Sequence, residues 1–140
     1  FLWFDGQMEE AARFYVSLFP DSRITSMNAM SGAFNLCGVE FMALNAGPPF
    51  KFTEAVSFFV ACKDQAEVDR YWTAFLADGG TESQCGWLKD RFGLSWQIIP
   101  EALGRYLGDP DRTRAQRVMQ AMLKMKKIDV AALDRAAAAT

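Results

Sequence analysis

No histidine occurs anywhere in this chain, and that absence narrows its chemistry more than any residue present. Neither a Cys–His pair nor a Ser–His–Asp triad can form without one. Cys37, Cys62 and Cys85 are odd in number and widely spaced, and no CxxC occurs, so zinc-ribbon and disulfide frameworks both fail. Their strand-like, apolar surroundings suit small core residues in a reducing compartment. The one tight charged cluster is Lys89-Asp90-Arg91. Alternation along a strand sends Asp90 to one side and Lys89 and Arg91 to the other. Arg91 would then bind an anionic ligand at the mouth of a cleft. The plainer reading is a charged turn that sets a hairpin. Nothing near Lys89 in sequence marks it as a general base.

The elements that must position these residues occur twice. The strand-like run Phe1-Leu2-Trp3-Phe4 precedes a helical pattern with Ala11, Phe14, Tyr15, Leu18 and Phe19 on one face. The run Ser57-Phe58-Phe59-Val60 precedes a second, with Val68, Tyr71, Trp72, Phe75 and Leu76. One offset of 57 residues, Ala11 to Val68, maps all five positions of one face onto the other. A repeat of this length signals two similar half-modules, each covering apolar surface the other would expose.

Helix one is expected from about Gln7 to Phe19, stopped by Pro20-Asp21. Strands are expected at Arg23–Asn28, Ala33–Cys37 and Val39–Asn45, with Gly32 and Gly38 at hairpin turns. Ala46-Gly47-Pro48-Pro49 opens the connector. In the second module a strand is expected at Ala55–Cys62. Asp64-Gln65-Ala66-Glu67 reads as a capping box, and Asp78-Gly79-Gly80 as the helix end. Strands follow at Thr81–Cys85, Trp87–Phe92 and Ser95–Pro100. The order strand, helix, three strands, then the same again, predicts an α+β fold. Two βαβββ modules (about 1–47 and 55–100) would form one curved mixed sheet with helices outside.

A helical tail, about 101–140, follows. Asp109-Pro110 reads as an N-cap with proline in the first turn. Val118, Met119, Met122 and Leu123 then form an apolar stripe, and a shorter helix covers Ile128–Ala139. The stripe would pack on its own domain or on a partner subunit; amphipathic spacing fits both.

Composition fits one domain of 140 residues, 51% hydrophobic and 14% aromatic, which is enough for a sizeable core. A net charge of −2 with both signs interspersed offers no basic face for nucleic acid. No apolar run reaches transmembrane length and no signal peptide is evident, so the expected setting is cytoplasmic, away from membranes. Because the chain opens inside a strand pattern, a few residues are expected before Phe1.

The doubled βαβββ pattern resembles the vicinal oxygen chelate superfamily, which includes glyoxalase I, extradiol dioxygenases and bleomycin-resistance proteins. Particular strings look like its bacterial PhnB-like group, often labelled 3-demethylubiquinone-9 3-methyltransferase. These are Leu2-Trp3-Phe4-Asp5-Gly6, Glu10-Ala11 with Phe14-Tyr15, Leu18-Phe19-Pro20-Asp21-Ser22, Ser57-Phe58-Phe59-Val60, and the long run Cys85-Gly86-Trp87-Leu88-Lys89-Asp90-Arg91-Phe92-Gly93-Leu94-Ser95-Trp96-Gln97. The label itself implies methyl transfer. Yet the first strand here is followed by Asp5-Gly6-Gln7-Met8-Glu9, without the glycine cluster of a typical S-adenosylmethionine fold.

Enzymes of the superfamily hold one divalent metal, with two ligands from each module. The resemblance carries those positions to Phe1 or Leu2, Asn45, Ala55 or Ser57, and Gln97. Two amides and a hydroxyl give a divalent ion no charge compensation. Of the nearby carboxylates, Glu40 alternates away from Asn45, while Glu54 sits at a strand start. The expectation is therefore no metal and no cofactor. Asn45, Ser57, Ser95 and Gln97 would line a polar-tipped cleft, with Phe41, Phe59 and Ile99 as apolar walls and Arg91 at its mouth. Such a cleft suits a neutral or weakly polar small organic molecule. The leading reading is a metal-free small-molecule-binding homodimer, because exposed sheet edges and the tail stripe both need covering. Two alternatives stay open: an enzyme (a methyltransferase, or a lyase- or dioxygenase-like protein with a divergent metal site), and an interaction module with a filled cleft.

Overall fold

Strand β1 (Leu2–Phe4) is short because Gly6 turns the chain at φ +83°, a left-handed conformation that glycine adopts at no steric cost. Helix α1 (Met8–Leu18) follows, then β2 (Arg23–Met27), β3 (Ser31–Leu36) and β4 (Val39–Asn45). The sheet order is β1-β4-β3-β2, with β1 parallel to β4 and the other pairs antiparallel. Helix α1 buries Met8, Ala11, Ala12, Tyr15 and Leu18 against the sheet, where Leu2, Phe4, Phe34, Leu36 and Ala43 are buried. Gly38 lies in a turn at φ +88°, as expected. Gly32 does not: it lies inside β3, paired with Met27 and Ala43, and the turn falls before it. A Cβ there would meet the Met27 side chain at 2.8 Å, so close packing rather than turning explains the glycine.

The second unit repeats the plan. Strand β5 (Ser57–Cys62) leads to helix α2 (Gln65–Ala77), then β6 (Thr81–Glu82), β7 (Trp87–Lys89) and β8 (Ser95–Pro100). Its order is β5-β8-β7-β6, with β5 parallel to β8. Asp64 caps α2 by accepting from the Glu67 N–H at 3.0 Å, as the sequence signature requires. Gly79 ends it at φ +102°. Val68, Tyr71, Trp72 and Phe75 are buried on the sheet, each apolar body contributing roughly 1.5–3 kcal/mol. Trp96 sits between Phe58 and Phe75, with ring centroids at 5.3 and 5.1 Å.

This computed structural model describes all residues from Phe1 to Thr140, in two compact units, Phe1–Thr53 and Glu54–Thr140. The fold is α+β, with two βαβββ modules. The strands hydrogen-bond as two four-stranded sheets, one per module, rather than as one continuous sheet.

The tail belongs to the second unit and carries three helices, α3 (Glu101–Leu107), α4 (Arg112–Met122) and α5 (Val130–Ala138). Helix α3 starts directly from β8, which the sequence reading leaves unassigned. The cap of α4 is Asp111, accepting from Thr113 and Arg114 N–H groups at 3.1 Å, not Asp109. Asp109 instead binds Arg114 at 2.9 Å. Half of the stripe packs on its own unit: Val118 joins Ile99, Leu103, Ile128 and Leu133 in one buried cluster with Met122 against it, while Met119 and Leu123 stay exposed. Backbone bonds from Cys85 N–H to Met125 O and Gly86 N–H to Lys126 O fasten the tail to the β6–β7 turn, at 2.8 and 2.7 Å. No helix is long and apolar enough to cross a membrane.

Candidate ligand-binding site

Helix α2 covers one face of the second sheet, the face of Phe58, Trp96, Ile98 and Leu88. Alternation therefore assigns the other face to two rows of register partners. One row is Phe59–Gln97–Trp87; the other is Ser57–Ser95–Lys89–Thr81. Tail helices bury Ile99 at one end of this face, so Ile99 belongs to the core and walls no cleft. Phe59 is left 62% exposed.

On this face lies a recess of about 300 Å³, lined by Glu54, Thr81, Glu82, Ser83, Trp87, Leu88, Lys89 and Ser95. The Lys89 ammonium binds the Glu54 carboxylate in a charge-assisted hydrogen bond. That bond holds the Glu54 carboxyl below its ordinary pKa. Ser95 is only 2% exposed, and its side chain lines the recess. A serine hydroxyl at that position can donate to whatever fills the recess.

The residues singled out from sequence distribute differently from the expectation. Ser57 and Gln97 come together: the Gln97 amide donates to the Ser57 hydroxyl at 3.0 Å, beside the recess. Phe59 shares their open face as a register partner of Gln97. Phe41 does not form an open wall; it stacks on buried Phe34 at 5.4 Å, on the side of the first sheet that α1 covers. The side-chain amide of Asn45 is committed at both ends. Its Oδ1 accepts from the Met8 N–H at 3.0 Å and its Nδ2 donates to the Ala29 carbonyl at 3.1 Å. Arg91 lies past the end of β7, held by Asp78 at 3.4 Å and stacked over Phe92. Strand alternation fails for it because β7 stops at Lys89. Asp90 explains the stop. Buried to 5% exposure, its carboxylate accepts from the N–H groups of Phe92 and Leu94 and from the Trp96 indole, all at 2.9 Å.

Sequence reasoning passes over Lys89, Thr81 and Trp87 as lining residues. The signal is present in the period-two register of Lys89 with Ser95, once the strand is ended at Lys89 rather than Phe92.

The residues present do not fit a divalent metal. No cluster of three or more His, Cys, Asp or Glu side chains is placed to hold an ion. Asn45 has no free amide atom to offer, Ser57 and Gln97 bind each other, and Glu54 is neutralised by Lys89. The neutral oxygens left do not compensate the charge of a dehydrated divalent ion.

Two βαβββ modules, each with its own helix-covered sheet, define a glyoxalase-like protein of the vicinal oxygen chelate class. More narrowly, the chain belongs to the family described as 3-demethylubiquinone-9 3-methyltransferase, whose model matches residues 1–99. The PhnB protein of Bacillus cereus, which carries the same description, is 31% identical, with a TM-score of 0.64 over 71% of this chain and 95% of its own. Protein PA1353 of Pseudomonas aeruginosa is 22% identical (TM-score 0.57) over 71% of this chain and 92% of its own. A glyoxalase-related enzyme of Fulvimarina pelagi is 15% identical (TM-score 0.55) over 71% of this chain and 84% of its own. The last two likenesses show the fold alone. No curated protein matches the chain significantly.

Proposed function

We propose that this protein is a metal-free small-molecule-binding member of its family, acting as a cytoplasmic homodimer. The observation that carries the reading is the recess on the open face of the second sheet, with Ser95 and Lys89 on its wall. Concave sites of this size, with an aromatic wall and a few convergent polar groups, suit a small organic ligand. Trp87 supplies the wall; Thr81, Ser95 and Lys89 supply the polar groups. The donor set supports binding without a metal. The exposed apolar side chains Met119 and Leu123, one turn apart at the end of α4, support a subunit interface.

Metal content by mass spectrometry on protein purified without chelator tests the metal-free reading, with thermal melts in the presence and absence of EDTA. The expected result is no stoichiometric divalent metal and unchanged melts. One equivalent of metal with an EDTA-sensitive melt overturns it. The family description favours a second reading, methyl transfer. Saturable S-adenosylmethionine binding in calorimetry would establish that reading in place of the first.

A further inference from the structure

Register puts three hydroxyls and one ammonium in a single row across the open face: Ser57, Ser95, Lys89 and Thr81. Neighbouring strands lie about 4.8 Å apart, so groups on consecutive strands of such a row converge on one small polar group. Ser57 is already engaged by Gln97, which leaves Thr81, Lys89 and Ser95 at the recess. All three can donate hydrogen bonds, and Lys89 adds a positive charge. What they have in common is affinity for an oxyanion.

The chain already supplies one, the Glu54 carboxylate on Lys89. Its side chain is 66% exposed and Lys89 is 43% exposed, so it reaches the ammonium from the solvent side. Glu54 engages Lys89 but neither Ser95 nor Thr81, so it does not complete the site. Glu82, the other carboxylate at the recess, pairs in register with Leu88 and therefore alternates away from the row.

We infer that the recess takes a small organic carboxylate, which displaces Glu54 from Lys89, accepts from the Ser95 hydroxyl, and lays its apolar body along Trp87. Glu54 is then a built-in competitor that occupies the ammonium until ligand arrives. Exposed ion pairs are weak, so the competition lowers affinity by only about two- to fivefold. This inference rests on the small-molecule-binding reading and names its ligand class.

The test uses three probes of one size, 3-phenylpropionate, 3-phenylpropan-1-ol and 3-phenylpropylamine. Each is titrated into the full chain while the backbone amides of Thr81, Trp87, Lys89 and Ser95 are followed by NMR. The carboxylate is expected to bind about tenfold tighter than the alcohol, in keeping with the value of a charge-assisted hydrogen bond. Glu54→Gln should tighten carboxylate binding about two- to fivefold and leave the alcohol unchanged. Lys89→Met should abolish the preference. Both substitutions lie on exposed side chains, so folding is preserved. If the alcohol or the amine binds at these amides as tightly as the carboxylate, or Glu54→Gln weakens carboxylate binding, the inference is overturned while the binding reading stands. If no probe moves these amides up to its solubility limit, both fall.

Discussion

Asn45, the last residue of β4, accepts a hydrogen bond from the backbone N–H of Met8, the first residue of α1, at 3.0 Å. Gln7, the N-cap residue, makes no side-chain capping bond, so a residue 37 positions away performs that task. An amide carried over from the family pattern as a site position is here a helix cap. Asn45→Ala should cost about 1–2 kcal/mol of stability, the usual worth of a cap. Chemical denaturation checks the value, and probe binding at the recess should be unchanged. A loss of binding without a loss of stability would return Asn45 to the site.

Asp90 is the second structural polar residue, with three donors on one buried carboxylate. Asp90→Ala leaves two backbone N–H groups and the Trp96 indole unpaired. It is expected to cost about 3 kcal/mol or more, since orphaned buried donors forfeit their full desolvation. A urea melt monitored by tryptophan fluorescence would show the shift. Asp90→Asn should fall between, because its amide keeps oxygen acceptance but turns one donor toward donors.

Gly86 stands at φ +86°, and a Cβ there would meet Ile99 Cδ1 at 2.6 Å and Ile128 Cγ1 at 3.0 Å. Gly86→Ala combines left-handed strain with a clash against the tail, so about 1–3 kcal/mol should be lost. Hydrogen exchange should localise the loss to the Cys85 and Gly86 amides and the segment around Ile128. Uniformly faster exchange across α2 and the sheet would contradict this.

Cys62 is fully buried, and burial pushes its thiol up to about 12. The neutral thiol is thus favoured in the folded state, and its contribution is complete below the ordinary thiol pKa of about 8.5. That contribution should drain away as pH rises from there toward 12. Alkaline stability curves should therefore fall less steeply for Cys62→Ala than for the parent, once corrected for the cavity. Exposed Cys37 should react with thiol reagents at once in the native state, and Cys62 only on unfolding.

The sequence by itself determined most of the scaffold. The 57-residue repeat between Ala11 and Val68, the Asp64 cap, Gly79 and the exact spans of β4 and β8 all follow from local rules. Periodicity, capping and turn chemistry act within a few residues, so a linear string records them. Ser57 and Gln97 were named together through the family resemblance; their hydrogen bond was not legible in the sequence.

Only tertiary structure decided which face each strand presents and which polar groups line the recess. Period two separates the side chains of β4 into two faces but does not say which one a helix covers, so Phe41 and Asn45 could not be distinguished from Phe59 and Gln97. Where β7 ends depends on Trp96 reaching back to Asp90, a contact that no local pattern encodes. The consequence falls on the charged cluster: Arg91 is carried to Asp78, and Lys89 is left on the open face beside Ser95. Which side chains wall a recess is likewise a fact about everything around them, which is why the site emerges from packing rather than from spacing.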